Sequence, residues 1–451
     1  MNESKLFKNA TLVNEGKTFV SDVLVVGERI EKIASSITPK AHSKTTEINA
    51  EGLLLIPGMI DDQVHFREPG LTHKATIFSE SRAAVAGGIT SFMDMPNTIP
   101  NTLTLDLLEQ KYALAAEKSV ANYSFFMGIK NTNIEEALKV NNENVCGITD
   151  DGLYFDDAHA LLCDQEQFME ELFSRTETLV ALHSENHRVI ATNLAHYREM
   201  YGDNIPMHLH PKIRSEEACV SATKKVLEVA KKHGNRLHFF HISTAAEAQL
   251  FTSESIETKR ITAEACVHHL YFSDQDYAAL GAKIKWNPSV KTEGDRLGLL
   301  KALNEGKIDI IATDHAPHTS AEKDGNYMQS ASGGPLVQHA LPALFELYHK
   351  GEISLQEIVQ KTSHNVAQLY KIKERGFLRE GYFADLVLVN LKSPCTVEKE
   401  NLLSLCRWSP FENHQFQSTI THTLVNGNLV FEKGKIFDAK EGKRILFAKE
   451  R

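Results

Sequence analysis

The stretch Ile60-Asp61-Asp62-Gln63-Val64-His65-Phe66-Arg67-Glu68-Pro69-Gly70 decides the fold predicted for the whole chain. It follows a short apolar run at residues 53–56 and a Pro57-Gly58 break, which is typical of a buried strand that ends in a loop. Because successive strand residues point to opposite faces, Gln63 and His65 are predicted to share one face. A histidine and a second coordinating group at the carboxyl end of a strand suit a metal ion in the mouth of a barrel.

Arg67 lies two residues beyond His65 and adds a second function to the same loop. Its planar guanidinium could hold a carboxylate beside the metal ion. A plain polar loop after a strand would explain a single His-x-Arg motif as well. The rest of the chain therefore decides between the two interpretations.

The size and composition of the chain indicate a globular protein with more than one domain. Its 451 residues are too many for one simple core and predict a large barrel with a smaller second domain. With 42% hydrophobic and 24% charged residues, its composition is ordinary for a globular protein. A net charge of −10 without a basic cluster argues against nucleic acid or an anionic membrane as the partner.

The sequence also predicts a cytoplasmic location. The first residues lack an apolar leader, and no run approaches the about 20 apolar residues of a membrane span. The six cysteines are scattered and form no Cys-x-x-Cys pair, a pattern typical of reduced thiols. We therefore expect neither a disulfide scaffold nor a zinc ribbon.

Residues 1–54 and 371–451 are predicted to form one small β-sandwich-like domain together. Each end contains short alternating segments separated by turn residues, which is typical of hairpins. The predicted strands are residues 6–13, 20–26 and 30–33 at one end and residues 376–378, 384–389 and 423–430 at the other. Because the termini of a domain often lie close together, the two sets can clasp the central region.

Residues 55–370 alternate between apolar strand-like runs and helical stretches. The predicted strands are residues 89–95, 121–128, 178–183, 236–241, 260–265 and 308–313, and the predicted helices are residues 75–87, 104–118, 165–175, 216–233, 293–304 and 335–349. Repeated βα units predict an α/β fold, a (β/α)₈ barrel of the TIM type, with its active site at the carboxyl ends of the strands. A doubly wound open sheet is the alternative, but no Gly-x-Gly-x-x-Gly motif supports it.

Four predicted strand ends finish in a residue that can bind a metal ion or transfer a proton. These residues are His65, His183, His241 and Asp314. A single buried histidine is usually structural, but four such residues at one end of a barrel share one surface. Imidazoles and a carboxylate without cysteine suit Zn²⁺, or a similar metal, in a catalytic site.

Two segments resemble the signatures of dihydroorotases, within the cyclic amidohydrolase group of metal-dependent hydrolases. The stretch quoted first resembles the signature Asp-x-His-x-His, followed by an aromatic residue or Leu, Arg, Asp or Glu, Pro and Gly. It departs from that signature at Gln63, which replaces a histidine that binds metal in the family. The segment Ala312-Thr313-Asp314-His315-Ala316-Pro317-His318, followed by Lys323, resembles the second signature without a departure.

The resemblance covers about residues 50–430 and implies a role for each matching residue. It implies that Asp314 binds the metal and transfers the proton. Segment 94–98 resembles a family segment whose asparagine contacts the substrate carboxylate, and segment 286–288 resembles one whose asparagine contacts the ring. Segment 332–335 resembles a loop that completes the pocket. The implied substrate-binding residues are Arg67, Asn97, Asn287 and His318.

The implied site also needs an anionic bridge between two metal ions. The family supplies a carboxylated lysine or, in one branch, an aspartate within Thr-Asp-Asp-Gly. Residues 146–152 contain no lysine and resemble the aspartate branch, with Asp150 the first candidate and Asp151 the next. An ordinary Asp-Gly turn would explain the same residues.

Gln63 leaves the number of metal ions open. A neutral amide oxygen is a poorer ligand for Zn²⁺ than imidazole, so we expect the ion beside His65 and Asp314 to bind weakly or not at all, while His183 and His241 hold the other. Three outcomes follow: a working site with two ions, a working site with one ion, or a site that has lost activity in a protein kept for binding.

The resemblance implies reversible hydrolysis of L-dihydroorotate to N-carbamoyl-L-aspartate, a step of pyrimidine synthesis. Hydantoinase or dihydropyrimidinase activity is the enzymatic alternative, although Arg67 and Asn97 favour a substrate with a carboxylate. The other alternative is an impaired dihydroorotase-like subunit that supports an aspartate transcarbamoylase. A homodimer is expected from the resemblance and from the frequency of twofold oligomers.

Overall fold

The computed structural model describes residues 4–39, 44–153, 161–438 and 440–449. The chain begins with five strands, β1 (Ser4–Asn14), β2 (Lys17–Val26), β3 (Arg29–Ala34), β4 (Thr45–Asn49) and β5 (Leu54–Pro57). Strand β1 pairs antiparallel with β2 and parallel with β4 and β5. A tight turn at Glu15 and Gly16, both with positive φ, joins β1 to β2.

The central region forms a closed ring of parallel strands. They are β6 (Met59–Val64), β7 (Ile89–Asp94), β8 (Asn122–Phe125), β9 (Met127–Gly128), β10 (Ile148–Thr149), β11 (Val180–Leu182), β12 (Leu237–Phe239), β13 (Ile261–Cys266) and β14 (Ile310–Ala312). Strands β8 and β9 are consecutive parts of one strand, interrupted at Phe126, so eight strands are present among the described residues. The His65 N–H donates to the His315 carbonyl (2.8 Å), which joins the last strand to the first and closes the barrel.

Helices connect and surround these strands. They are α1 (Ile77–Ala86), α2 (Leu105–Lys118), α3 (Ile134–Ala137), α4 (Glu166–Arg175), α5 (His187–Tyr201), α6 (His210–Ile213), α7 (Glu216–His233), α8 (Ala245–Ala248), α9 (Val267–Tyr271), α10 (Tyr277–Leu280), α11 (Glu293–Asn304), α12 (Ser320–Lys323), α13 (Ala340–His349), α14 (Leu355–Val359) and α15 (Asn365–Tyr370). The α/β fold predicted from the sequence, a (β/α)₈ barrel with a strand-rich domain at both ends, is confirmed.

Local sequence signals explain where the long helices begin and end. Thr76 and Ser79 form a capping box at the start of α1, which satisfies backbone N–H groups that have no partner inside the helix. Ser215 caps α7 in the same way, and Gly234 ends that helix in the left-handed conformation. Helix α5 was not predicted, because only Ile190 is buried and the helix therefore has almost no apolar stripe.

The last strands complete the sheet that the first five begin. They are β15 (Leu386–Asn390), β16 (Cys395–Thr396), β17 (Gln415–Phe416), β18 (Thr419–Val425), β19 (Asn428–Glu432) and β20 (Lys435–Ile436). The sheet runs in the order β20, β19, β18, β15, β5, β1, β2, β3, so strands from both ends of the chain share it. Its junction is the antiparallel pair β15–β5, in which Leu388 lies opposite Leu55.

Two parts of the carboxyl-terminal region differ from the β-domain expected there. The strand predicted at residues 376–378 does not form, because Leu378 pairs with the side-chain amide of Asn14 (3.0 and 3.1 Å) instead of a neighbouring strand. Residues 442–447 return to the barrel, where the backbone of Ile445 donates to Tyr123 (2.9 Å). The boundary at residue 371 therefore does not separate all later residues from the barrel.

A buried carboxylate joins the sheet to the barrel. Asp385 accepts hydrogen bonds from the guanidinium of Arg375, from Asn122 in β8 (3.2 Å) and from the backbone N–H of Asn426 (2.8 Å). Only about 4% of either side chain of the Arg375–Asp385 ion pair is exposed. Removing the carboxylate leaves a buried guanidinium without its anionic partner, which is costly because water cannot replace it.

We expect Asp385→Ala to lower the free energy of unfolding by about 3–5 kcal/mol. The measurement is equilibrium unfolding in urea, followed by circular dichroism. Asp203→Ala is the matched control, because Asp203 pairs with Arg198 at the surface and its loss should cost less than about 1 kcal/mol. Equal midpoints for the two variants would contradict the structural role given to Asp385.

Candidate metal centre

The carboxyl ends of the barrel strands bring five metal-binding side chains together. His65 directly follows β6, and Asp151, His183, His241 and Asp314 follow β10, β11, β12 and β14 within two residues. Parallel strands that close into a barrel place all these ends on one surface. Residues separated by up to 249 positions in the chain therefore meet in one site.

Asp151 lies at the centre of this group. Its Oδ1 is 3.6 Å from His183 Nδ1 and 3.7 Å from His241 Nε2, and its Oδ2 is 3.5 Å from His65 Nε2. Asp314 Oδ1 lies 3.1 Å from the same nitrogen of His65. The carboxylate of Asp151 is thus shared between two adjacent positions, one beside His183 and His241 and the other beside His65 and Asp314.

Hydrogen bonds to Glu185 and Asn97 decide which ring nitrogens of His183 and His65 turn a lone pair toward the centre. His183 Nε2 donates to Glu185 Oε2 (2.8 Å), and Arg214 holds that carboxylate (2.7 Å). His65 Nδ1 donates to Asn97 Oδ1 (2.8 Å). The opposite nitrogens, His183 Nδ1 and His65 Nε2, therefore present lone pairs, as metal-binding imidazoles do when a second group takes the other N–H.

These lone pairs face other lone pairs, which favours a cation between them. His183 Nδ1 is 3.1 Å from His241 Nε2, and His65 Nε2 faces oxygens of Asp151 and Asp314. A donor set of imidazoles and carboxylates without cysteine is typical of catalytic Zn²⁺ and related divalent ions. The group Asp151, His183 and His241 has all its ligand atoms within 4.8 Å of one another and fits such an ion.

The two neighbouring aspartates have different roles. Asp150 was the first candidate for the bridge, but its oxygens accept the backbone N–H groups of Leu162 (2.7 Å) and His183 (3.1 Å). Alternation along the chain is the physical reason, because adjacent residues point in opposite directions. Asp151 consequently faces the histidines, and Asp150 braces the loop and the neighbouring strand.

Gln63 reaches the centre through a hydrogen bond. Its Nε2 donates to Asp151 Oδ2 (3.3 Å), while its Oε1 lies 3.5 Å from Cys266 Sγ. Gln63 and His65 thus share one face, and both contact Asp151. An amide N–H turned toward the carboxylate gives no lone pair to a cation, so Gln63 is a hydrogen-bonding neighbour of the centre in this arrangement.

The electric field at the centre favours positive charge. Burial alone would raise the pKa of Asp151, but its contacts with His183 and His241 outweigh burial and hold the pKa well below its usual range. Burial opposes the charged form of His183, yet Asp151 and Glu185 raise its pKa to about 9, so a divalent ion that binds Nδ1 takes the place of a proton there. Burial raises the pKa of Asp150 to about 7, against the hydrogen bonds from Leu162 and His183. Asp151 is therefore the persistent anion of the pair.

Arg67 and His318 form a group of hydrogen-bond donors beside the metal centre. Arg67 Nε donates to the Pro317 carbonyl (3.1 Å), and its Nη2 lies 3.2 Å from His318 Nε2. His318 Nδ1 accepts from Lys74 (3.2 Å), so its Nε2 carries the proton and donates to the Ser332 carbonyl (2.9 Å). Burial, together with Arg67 and Lys74, lowers the pKa of His318 well below its usual value, which keeps this ring neutral.

A small cavity separates the metal-binding side from the donor side. Its walls include the metal-binding residues His65, Asp151 and Asp314 as well as Arg67, Asn97 and Asn287. The side-chain oxygen of Asn287 is buried without a hydrogen-bond partner among the described residues. A buried acceptor without a donor is costly, so this oxygen is available for an N–H group of a ligand. All predicted substrate-binding residues except His318 thus line the cavity, and His318 lies behind Arg67.

Three functional residues have strained backbones. Arg67, His241 and Asp314 have positive φ angles of 67°, 38° and 47°, which L-residues rarely adopt. Such residues cost about 1–3 kcal/mol each and persist where the surrounding structure holds them. Here the strain turns each side chain from its strand end toward the centre.

The sequence analysis did not identify Glu185 and Arg214 as functional residues. Glu185 follows His183 by two residues and could have been recognised by this spacing, which places two strand side chains on one face. Arg214 gives no local signal, because only the tertiary structure brings helix α6 to Glu185.

Sequence comparison supports a hydrolytic metal centre. A sequence model of the amidohydrolase family matches residues 54–430. A dihydroorotase of Halobacterium salinarum is 32% identical over 436 residues, which cover 94% of this chain and 96% of that protein. A dihydroorotase of Methanosarcina acetivorans is 31% identical over 448 residues, which cover 97% of this chain and 93% of that protein.

Structural comparison supports the same architecture. The L-hydantoinase (dihydropyrimidinase) of Arthrobacter aurescens superposes with a TM-score of 0.91 at 23% identity, over 99% of this chain and 100% of that chain. The dihydropyrimidinase of Brevibacillus agri superposes with a TM-score of 0.86 at 25% identity, over 99% of this chain and 98% of that chain. The barrel and the sheet from both ends are thus shared with solved structures.

We expect Asp151→Asn to abolish tight binding of a divalent ion at this centre, whereas Asp150→Asn should keep it. The reason is that Asp151 contacts three histidines and Asp150 contacts backbone N–H groups. The measurement is a titration of chelator-treated protein with Zn²⁺, followed by calorimetry. A loss of affinity in Asp150→Asn with unchanged affinity in Asp151→Asn would reverse the assignment.

Proposed function

The chain belongs to the amidohydrolase family and is a cyclic amide hydrolase, and we propose that its reaction is the reversible hydrolysis of L-dihydroorotate to N-carbamoyl-L-aspartate. The relatives named dihydroorotase match nearly the whole chain, which supports this choice of substrate. The proposal places the enzyme in pyrimidine synthesis. It follows mainly from the way Arg67 is buried beside the metal centre.

Arg67 is the single observation that carries the proposal. Its side chain is about 5% exposed, and no carboxylate lies within ion-pair distance of it among the described residues. Burial lowers its pKa to about 10, against the attraction of Asp314 and other acids. A buried guanidinium without an anionic partner is costly, and a substrate carboxylate would satisfy it through two parallel hydrogen bonds.

The geometry supports an orientation for the substrate. Its carboxylate would lie against Arg67 and Asn97, and a ring N–H would donate to the unpaired oxygen of Asn287. These contacts fix the ring between the donor group and the strand-end carboxylates. Holding a reacting bond in one position can supply several kcal/mol of the rate enhancement.

Asp314 is the proposed catalytic residue for proton transfer. Its Oδ1 is engaged by His65 (3.1 Å), and its second oxygen can take a proton from water and pass it to the leaving ring nitrogen. A divalent ion such as Zn²⁺, held by Asp151, His183 and His241, would lower the pKa of a bound water toward 7 and polarise the amide carbonyl. Glu185 and Arg214 position His183 for this task.

Gln63 bears on how many ions the enzyme uses. Because its N–H turns toward Asp151, we propose that the position beside His183 and His241 binds its ion more tightly than the position beside His65 and Asp314. One or two Zn²⁺ ions are compatible with this arrangement.

The proposal also includes a cytoplasmic homodimer. None of the six cysteines forms a disulfide bond, and no described helix has the length and apolarity needed to cross a bilayer.

A turnover assay on two substrates tests the proposed reaction. We expect hydrolysis of L-dihydroorotate with a kcat/KM at least about 100-fold above that for dihydrouracil, because the neutral ring leaves Arg67 unpaired. Metal analysis of the same preparation gives the number of ions. Preference for dihydrouracil would favour a dihydropyrimidinase. Absence of turnover on both, with an empty centre, would favour a subunit that only supports a partner such as aspartate transcarbamoylase.

Arg67→Ala should raise KM for L-dihydroorotate by at least about 30-fold, because truncating one partner of a buried charge pair costs 2 kcal/mol or more. Its metal content should stay unchanged. Steady-state kinetics and metal analysis together check both statements. Arg198→Ala is the matched control, since Arg198 is exposed and pairs only with Asp203. An unchanged KM in Arg67→Ala would remove the carboxylate-binding role.

A further inference from the structure

A second group of metal-binding side chains lies inside the barrel, away from the cavity. Asp62 in β6, His238 in β12 and Glu264 in β13 converge there, and each has an exposed fraction of 0%. Their ligand atoms lie within 4.8 Å of one another. None of the three takes part in the reaction proposed above.

The tautomer of His238 follows from its hydrogen bonds. In the tautomer that suits a metal ion, Thr262 gives its single hydroxyl hydrogen to the Leu237 carbonyl (3.2 Å), and its Oγ1 accepts from His238 Nδ1 (2.8 Å). Nδ1 therefore carries the ring proton. The other nitrogen of His238, Nε2, presents a lone pair to the interior of the barrel.

That lone pair faces two carboxylate oxygens. His238 Nε2 is 3.4 Å from Asp62 Oδ2 and 3.4 Å from Glu264 Oε2. The ligand oxygens of Asp62 and Glu264 also lie within 4.8 Å of each other. Three groups that all offer lone pairs repel one another in a dry interior unless a shared proton or a cation lies between them.

The distances from His238 suit a zinc-like ion. Ligands about 2.1 Å from such an ion are about 3.4 Å from one another, and His238 Nε2 lies 3.4 Å from each of the two carboxylates. The remaining oxygen of Asp62, Oδ1, is buried without a hydrogen-bond partner in the described part of the chain. It can complete the coordination in place of a missing donor.

We propose that Asp62, His238 and Glu264 bind a divalent metal ion inside the barrel, in addition to the strand-end centre. One imidazole and two carboxylates suit Zn²⁺ or Mn²⁺. Tyr370 fixes one ligand by donating to Asp62 Oδ2 (2.7 Å). The ion would neutralise the two buried carboxylates. It would also join β6, the first strand of the barrel, to β12 and β13, which come late in the chain.

The inner ion also supports the strand-end centre through Glu264. Glu264 Oε1 accepts the backbone N–H of His241 (3.1 Å) and the thiol hydrogen of Cys266 (3.3 Å). The carboxylate that binds the inner ion thus holds the strained backbone of His241 in place. Asp62, His238 and Glu264 are positioning residues for the outer centre, because they do not touch the cavity.

The metal content of full-length variants tests the proposal. His183→Asn disrupts the strand-end centre, so this variant, treated with chelator and then loaded with Zn²⁺ or with Mn²⁺, should retain about one ion for each chain. Adding Asp62→Asn or Glu264→Gln to it should remove that ion. Adding Asp309→Asn is the matched control, since Asp309 is buried but pairs with Lys259 and should leave the ion in place.

Two results would overturn the inference. One is a His183→Asn variant that binds neither metal, and the other is a double variant with Asp62→Asn that keeps its ion. The Asp62→Asn variant of the otherwise unaltered chain should lose one ion. An unchanged metal content in that variant would mean that protons alone hold the cluster together. Absence of turnover in the unaltered chain, with the inner ion bound, would count against the proposed function and leave this site standing.

Crystals of the unaltered chain provide a second measurement that does not depend on the folding of any variant. Zn²⁺-loaded crystals, measured on both sides of the zinc absorption edge, should show an anomalous peak between His238 Nε2 and the two carboxylates. A peak at Asp151 without one at His238 would overturn the proposal.

Discussion

Hydrogen bonds to the outer nitrogens of two histidines determine the chemistry of the barrel mouth. Glu185 takes the N–H of His183, and Asn97 takes that of His65, so both rings turn a lone pair toward Asp151. Reversing either tautomer would point an N–H at the centre and close the position to a cation. Every other feature of the site depends on this direction, because a cation can bind only where lone pairs converge.

The barrel supplies the rigidity that such an arrangement needs. Closure through the His65 N–H and the His315 carbonyl fixes the first strand end against the last. Positive φ angles at Arg67, His241 and Asp314 then turn these side chains toward the cavity at an energetic cost that the surrounding packing offsets. The same rigidity keeps the Arg67 guanidinium buried, with no ion-pair partner in the part of the chain that the structure describes.

The sequence predicted the ring of strands and most of its helices, because apolar periodicity marks any element that buries one face. It did not predict α5, since that helix buries only Ile190, or the pairing of Leu378 with the Asn14 side chain in place of a strand. In the site, periodicity placed Gln63 and His65 on one face, but it could not choose between Asp150 and Asp151. That choice depends on which backbone N–H groups lie nearby, and Leu162 and His183 supply them to Asp150.

The sequence by itself determined the family of the chain, the order of its strands and most of the residues that lie at the carboxyl ends of those strands. Only the tertiary structure decided which of those side chains lie together, that Arg67 has no anionic partner within the described ranges, and that Asp62 meets His238 and Glu264 in the interior. The physical reason is that local sequence fixes the direction of each side chain along its own strand. Distances between strands depend on barrel closure, which is a property of the whole chain.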